Sequence, residues 1–299
     1  MRTKKSKQDL NCDYDIVIVG GGPAGISTWL HLHKYDPLLA SKAVLIEKEK
    51  YPRDKLCGGA LHKWMTKRIF SDLEIELKVP FVSVDTIGIR FEKDVFTYQE
   101  EDFFRVVRRV EFDHFLAQIA KERGLHLHEN EACIDIEYSD DGVIVKTNRG
   151  TYKVKIVIGA DGSLSMVRRK MKPPLTPRFA ATLEIFSPAH VKYDPEFATH
   201  TALMDFTPVN EGLQGYVWHF PCLLDNAPFM NHGICDTRIY PDAPRCDLKK
   251  IFSNELQMRH NNYTSKVWSS HPVTYFLDDA PLSRPNILLV GDAAGIEPL

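Results

Sequence analysis

Residues 15–25 read "DIVIVGGGPAG". The four apolar residues Ile16 to Val19 are β-branched, the composition of a strand buried on both faces. Gly20, Gly22 and Gly25 follow at the spacing G-x-G-x-x-G, and Pro23 and Ala24 lead into a helical stretch through Trp29, Leu30, Leu32 and Tyr35. In this setting the first glycine permits a tight turn. The second lets backbone approach a pyrophosphate, and the third lets helix pack on strand. The helix N-terminus presents N–H groups and a positive dipole end to phosphate. A second buried strand, "AVLIE", ends at Glu47, twenty-two residues past Gly25, with Lys48 next to it. A carboxylate there accepts hydrogen bonds from both hydroxyls of a ribose. This β-α-β unit predicts a bound ADP moiety and leaves open whether the cofactor is NAD or FAD.

Two later turns narrow that choice. "VIGADGSLSMVRR" places Asp161-Gly162 at a strand end, with Ser165 and Arg168 opening a helix. "LLVGDAAGIEPL" places Gly291-Asp292 at another strand end, followed by Ala293 and Gly295. Strand-end turns of one parallel sheet converge on one crevice. An extended cofactor with a ribityl chain needs carboxylates for its hydroxyls and glycines for close approach, so the three turns together select FAD.

Composition sets the class. The 299 residues are 43% hydrophobic and 26% charged, as in globular proteins. A net charge of -2 offers no field for nucleic acid. No apolar run reaches the roughly 18 residues of a membrane span. The six cysteines are scattered without a C-x-x-C pair, which predicts neither a metal site nor a disulfide framework and points to a reducing cytoplasm. Arg2, Lys4, Lys5 and Lys7 make the first residues basic, a frayed terminus or a weak attraction to an anionic membrane. His31, His33, His126, His128 and His219 read as surface or strand polar positions.

Along the chain, Phe112, Phe115, Leu116, Ile119 and Ala120 mark an amphipathic helix over 111–123, closed by Gly124. Hairpin strands follow, and "TYKVKIVIGAD" reads as one long strand. Pro173, Pro174 and Pro177 form a breaker, after which strand-like segments dominate from Phe179 to Phe276, interrupted by a helix over 247–259. A last buried strand, Asn286 to Val290, returns to the style of the first. The expected fold is α/β: an FAD-binding Rossmann-like domain (12–80, 105–172, 281–299) with an inserted, mostly β substrate domain (81–104, 173–280).

From Tyr14 to Leu299 the chain resembles the FAD-dependent group that includes p-hydroxybenzoate hydroxylase-type monooxygenases and geranylgeranyl reductases. "RRVEFDHFLAQIA" matches that group's Arg ahead of a Phe-Asp helix, which implies Arg109 near the ribityl or pyrophosphate portion of the flavin and Asp113 on the helix's first turn. "YPRDKLCGGAL" resembles the P-R-x-K-x-C-G-G segment of geranylgeranyl reductase-like proteins. The resemblance sets Arg53, Cys57, Gly58 and Gly59 close to the flavin, with Cys57 the one candidate for a catalytic role and a buried inert thiol as its alternative. "GYVWHFP" resembles the family's Y-x-W-x-F-P segment. Tyr216, Trp218 and Phe220, with Pro221, would border the substrate cavity, the alternative being an ordinary core stripe. Flavin halogenases carry a related W-x-W-x-I-P; Tyr216 and the Phe220-Pro221 ending favour the reductase branch.

The resemblance implies reduction of C=C bonds in a prenyl or isoprenoid lipid, or in a quinone side chain. A second G-x-G-x-x-G is lacking, so electrons would come from NADPH docking transiently or from ferredoxin. A lipid substrate implies peripheral membrane contact. One alternative is an aromatic-ring monooxygenase using NAD(P)H and oxygen. Another is an incomplete, non-catalytic flavin-binding fragment. The family's Gly-Asp turn is followed by a helix, whereas only seven residues follow Asp292, so the chain reads as truncated there.

Overall fold

The computed structural model describes residues 14–171, 178–259, 268–276 and 281–297, apart from the side chain of Met65. The basic residues 2–7, the Pro173–Pro177 breaker and Leu299 lie outside the described residues. The chain divides into two compact units, one made from the segments 1–53, 113–178 and 274–299, the other from 54–112 and 179–273.

The first unit is built on a six-stranded sheet. Its centre is β1 (Ile16–Val19), flanked in parallel by β2 (Ala43–Ile46) and by β10 (Ile156–Gly159). Beyond β2 lies β6 (His126–His128), and beyond β10 lies Ile287–Leu289 with Ser283–Arg284 as an antiparallel edge. Val17 and Ile18 are wholly buried, as a strand covered on both faces requires. Helix α1 (Pro23–Tyr35) returns the chain from β1, and the single turn α2 (Pro37–Ala40) takes it into β2, capped by Asp36 accepting from the Leu39 N–H at 2.9 Å. The short α5 (Met166–Lys170) follows β10.

The long strand read from "TYKVKIVIGAD" is two. β9 (Thr151–Val154) pairs antiparallel with β8 (Gly142–Thr147), which pairs with β7 (Cys133–Ser139) in a separate three-stranded sheet. The break falls at Lys155, where the N–H groups of Lys155 and Ile156 both donate to Asp15 O, and β10 then joins β1. Uninterrupted apolar alternation does not say which sheet each half will join. Helix α4 spans Arg109–Glu122 and ends as expected, with Gly124 at φ 100 and the Leu125 N–H returning to Ala120 O at 2.9 Å. Its earlier start puts Asp113 on the second turn, not the first.

The second unit is one sheet in the order β15 (Ser269–Ser270), β11 (Phe179–Pro188), β14 (Ala227–Asp236), β13 (Gly215–Leu224), β12 (Thr201–Asp205), β4 (Phe81–Phe91), β5 (Asp94–Val107) and β3 (Ala60–His62). All pairs are antiparallel except β12 with β4. Helix α3 (Lys63–Asp72) follows β3, and the single turn α6 (Pro195–Ala198) precedes β12. Helix α7 (Leu248–Arg259) covers one face, packing Ile251, Phe252 and Leu256 on Val217 and Ile234.

Residues 54–80 were expected with the nucleotide-binding domain, and they fold with the β unit instead. The cause is a pairing between segments distant in sequence: β3 pairs with β5, and the Val107 N–H donates to Gly59 O at 3.0 Å. The neighbouring limits move likewise, to 112/113, 178/179 and 273/274.

Candidate dinucleotide site

The loop after β1 carries the geometry its glycines predict. Gly20 has φ 103, a region L side chains rarely adopt, and an added Cβ would lie 2.7 Å from the Ala160 carbonyl carbon. Among the described residues no side chain caps the N-terminus of α1, and Pro23 at its first position has no N–H to satisfy. The N–H groups of the first turn that follow it lack helical partners and point toward any anion placed there.

Glu47 ends β2 and is buried. Its Oε2 accepts the Gly21 N–H at 2.8 Å and its Oε1 the Glu49 N–H at 3.0 Å. Tyr51 closes the other side, its hydroxyl donating to Gly21 O; burial, reinforced by the Glu47 charge, pushes that phenol's pKa up. Arg53 then ties two elements together. Its Nη2 lies 3.5 Å from Glu47 Oε2 and 3.2 Å from Asp113 Oδ2, with side-chain exposures of 9%, 5% and 0% for Arg53, Glu47 and Asp113. Arg53 Nε is buried and has no hydrogen-bond partner among the described residues.

The second and third turns meet the first. Asp161 does not face outward: its Oδ1 accepts the Ser165 hydroxyl at 2.5 Å, and its Oδ2 accepts the N–H groups of Met166 at 2.6 Å and Val167 at 3.2 Å. Both oxygens therefore serve the N-terminus of α5. Burial raises the Asp161 pKa, against the lowering effect of these bonds. Gly291 has φ 58, and an added Cβ would sit 2.6 Å from Ala24 Cβ, which brings the third turn against the first. Residues Gly291–Ala293 form a 3-10 turn. The Arg168 guanidinium joins the second and third turns, donating to Ser163 O and, at 3.1 and 3.0 Å, to Asp292 O and Ala293 O. The Ser163 hydroxyl lies 3.3 Å from Asp292 Oδ2.

In the β unit, the "GYVWHFP" strand and the Cys57-Gly58-Gly59 segment come together. Trp218 and Glu184 flank Gly233 across three strands, and Phe220 and Phe186 flank Asn231 in the next row. The indole lies over Gly233, where any Cβ would collide with it, and its N–H donates to Asn231 Oδ1 at 2.9 Å. Asn231 Nδ2 donates to Cys57 O at 3.1 Å and to Glu184 Oε1 at 3.2 Å. A Cβ on Gly58 would lie 3.1 Å from the Phe220 ring, so the segment rests on the aromatic face.

Comparison with known proteins agrees with this geometry. A family model described as pyridine nucleotide-disulphide oxidoreductase matches residues 17–174, from β1 through the Asp161-Gly162 turn and α5. The chain belongs to that family. Digeranylgeranylglycerophospholipid reductase of Methanocaldococcus jannaschii is 28% identical to it over 317 residues, spanning 98% of this chain and 73% of the relative. Digeranylgeranylglycerophospholipid reductase 1 of Methanopyrus kandleri is 27% identical over 299 residues, 94% of this chain and 74% of the relative. A solved geranylgeranyl bacteriochlorophyll reductase-like protein of Thermoplasma acidophilum superposes with a TM-score of 0.75 at 22% identity, over 94% of this chain and 71% of that one. The protein is an FAD-dependent oxidoreductase.

The oxidoreductase brings Gly20, Gly22, Pro23, Ala24, Gly25, Glu47, Gly162, Gly291, Asp292 and Ala293 to one end of one sheet. Gly295, at φ 65, continues from that turn. The donor set fits the absent group: N–H groups for a pyrophosphate, a buried carboxylate for a ribose, an orphaned Arg53 Nε, and the half-buried Asp292 for ribityl hydroxyls. Four expectations need revision. Arg53, expected as a cofactor contact, has its guanidinium engaged by Glu47 and Asp113. Asp161 has its carboxylate turned onto α5, leaving the Gly162 backbone as the surface of that turn. Lys48 is largely exposed, 3.7 Å from Glu49 Oε1. Pro221 alternates to the opposite face from Tyr216, Trp218 and Phe220, as β-strand geometry demands.

Arg109 takes the first turn of α4, while its neighbour Arg108 lies over the Phe186 ring at 4.9 Å. Cys57 is exposed, not buried. His219 is a buried strand position on β13, not a surface one, with Nδ1 2.7 Å from His232 Nδ1. Sequence reasoning placed Asp113 and Arg168 on their helices without giving them partners, and it missed Glu184 and Asn231. Asp113 carried one signal: a lone carboxylate next to the apolar stripe of α4. The other three act through partners distant in sequence.

Proposed function

We propose that the protein reduces carbon–carbon double bonds of a prenyl-chain lipid, with the archaeal-type glycerophospholipids carrying geranylgeranyl chains as the leading substrate class and a quinone side chain as the second. The observation that carries this reading is the extent of the match: relatives named for digeranylgeranylglycerophospholipid are similar over 94% and 98% of this chain, a length that takes in both units. FAD, when bound and reduced, supplies the hydride.

The chain's own residues bind and orient. The α1 N-terminus receives the pyrophosphate. Glu47, held by Gly21, Glu49 and Arg53, accepts the ribose hydroxyls. Asp292, with Gly162, Ala293 and Gly295, takes the ribityl portion. Trp218 and Phe220 support Gly58 from beneath, and Tyr216 continues that apolar face. An isolated alkene accepts hydride poorly, so holding it in a reactive geometry must provide much of the rate. NADPH or ferredoxin would deliver electrons by transient docking. No helix among the described residues is long and apolar enough to cross a membrane, so a lipid substrate would be met by peripheral contact.

The test uses the full chain reconstituted with FAD and reduced with dithionite, so that it needs no physiological donor. Digeranylgeranylglycerophospholipid and a menaquinone are then offered separately and analysed by mass spectrometry. The expected result is a gain of two hydrogens per reduced double bond. Unchanged lipid, with substrate-stimulated oxygen consumption on NADPH and aromatic compounds, would replace this reading with a monooxygenase. Protein that stays colourless in excess FAD would replace it with the non-catalytic one. Flotation with lipid vesicles tests the membrane contact, and protein left wholly in the soluble fraction refutes it.

A further inference from the structure

The spacing Gly20-x-Gly22-x-x-Gly25 leaves residue 21 open, yet this chain has glycine there. Backbone conformation does not require it, because Gly21 does not have a positive φ. Space does. An added Cβ would fall on the Tyr51 hydroxyl and lie 3.1 Å from Glu47 Oε2. The two groups that fill this space also hold the backbone. The Gly21 N–H donates to Glu47 Oε2 at 2.8 Å, and the Gly21 carbonyl accepts from the Tyr51 hydroxyl. Both peptide planes that meet at Gly21 are thereby fixed, in the residue type with the most backbone freedom to lose. The Gly21 carbonyl and the Gly22 N–H share one planar trans peptide and point in opposite directions. With the carbonyl turned onto Tyr51, the Gly22 N–H is turned away from it. Gly22 is the N-cap of α1, and among the described residues its N–H has no hydrogen-bond partner. It therefore joins the unpartnered N–H groups of the first helical turn.

We propose that Tyr51 is a positioning residue for the dinucleotide: its hydroxyl keeps the Gly21 carbonyl away from the pyrophosphate and so presents the Gly22 N–H to it, and residue 21 is glycine to make room for that hydroxyl. Without the hydroxyl the Gly21–Gly22 peptide is free to flip, which turns a carbonyl oxygen toward the phosphates and repels them. Tyr51 is itself held from three sides within the first unit. Its N–H donates to Glu129 Oε1 at 2.8 Å, just past β6. Its ring stacks on His114 of α4, with centroids 6.2 Å apart and planes at 18°. The Arg53 guanidinium lies over the ring at 5.3 Å. Burial raises the phenol's pKa, so the hydroxyl keeps the proton it donates. The inference rests on the FAD site and not on which substrate is reduced.

The experiment is a double-mutant cycle on the full chain, with wild type, Tyr51→Phe, Gly21→Ala and the double variant. Each apoprotein is titrated with FAD by flavin fluorescence, with ADP as competitor, and urea unfolding checks the fold. Tyr51→Phe keeps the ring and removes one donor. It should stay folded and bind FAD about tenfold more weakly, the worth of one buried hydrogen bond, and ADP should weaken by the same factor. Gly21→Ala forces a methyl group against the hydroxyl and should weaken FAD about a hundredfold. In the double variant that methyl meets no hydroxyl, so its FAD affinity should return to within about threefold of Tyr51→Phe. Equal FAD affinity of wild type and Tyr51→Phe overturns the positioning role. A loss for FAD without a loss for ADP overturns the assignment to the pyrophosphate. Additive losses overturn the coupling of Gly21 to the hydroxyl. If Gly21→Ala does not fold, a folded, FAD-binding double variant supports the coupling and an unfolded one overturns it. Wild-type apoprotein that takes up neither FAD nor ADP overturns the proposal outright. Failure to reduce a prenyl lipid, with the cycle as expected, would fall on the substrate reading alone.

Discussion

Replacing Arg53 by methionine tests whether the Glu47 carboxylate, proposed to take the ribose, is held by a buried ion network. Arg53 stands between two acids, 3.5 Å from Glu47 and 3.2 Å from Asp113, and all three side chains are at most 9% exposed. Screening by water is therefore slight, and removing the cation leaves two buried carboxylates without it. Breaking such a pair costs about 3–5 kcal/mol. Glu47 keeps the Gly21 and Glu49 N–H donors, so the lower end applies, about 3 kcal/mol. The Arg53 guanidinium also lies 5.3 Å from the Tyr51 ring centroid, adding about 0.5 kcal/mol. Urea unfolding of Arg53→Met should show this loss as a lower midpoint with an unchanged slope. The double variant Arg53→Met, Asp113→Asn should regain about 1–2 kcal/mol, because one stranded charge is gone. FAD affinity of the single variant should fall about tenfold as Glu47 loses its orientation, a cost of about 1.4 kcal/mol. A loss under about 1 kcal/mol, or additive effects of the two substitutions, would refute the network as the support of Glu47.

Three further outcomes are expected. Glu184→Gln should alter the pH profile of stability. The folded protein favours the neutral acid, so wild type has this contribution in full below pH 4.5 and loses it as pH rises to about 7, by about 3 kcal/mol; parallel urea midpoints of the two proteins from pH 4 to pH 8 would contradict that. Gly291→Val forces a β-branched residue to φ 58 against Ala24, and it should cost about 1–3 kcal/mol and abolish flavin uptake, read from unfolding and the flavin spectrum. Iodoacetamide at pH 8, followed by peptide mapping, should modify the exposed Cys57 well before Cys133 and Cys222, whose thiols burial pushes up to about 12. Equal labelling of Cys222 would show that its burial is wrong.

The β-α-β unit was legible because its determinants are local. Four β-branched residues, three glycines at fixed spacing and a carboxylate ending the next strand specify a strand, a turn, a helix and an acid buried beside that turn without reference to the rest of the chain. The same holds for the Gly124 stop of α4 and for the alternation that separates Pro221 from Trp218. The convergence of Gly20, Gly162 and Gly291 was also readable, since parallel strands place their C-terminal ends at one edge.

What the sequence could not convey were choices between partners of equal local merit. Asp161 and Asp292 both follow a buried strand within one residue of a glycine. Only the start of α5, five residues after Asp161, turned that carboxylate inward onto helix N–H groups. Residues 54–80 joined the β unit because β3 found an edge on β5, and an edge is a property of the assembled sheet. Arg53 was recognised as part of a segment, yet its charge is aimed by Asp113, sixty residues away. Glu184 and Asn231 carry no motif at all. A buried carboxyl in mid-strand looks like a surface glutamate until register sets it beside Asn231 and the Cys57 peptide. Backbone preference and side-chain period act over a few residues and are written in the chain. Which polar group satisfies which is decided only when distant segments exclude water from one another, and that decision belongs to the tertiary structure.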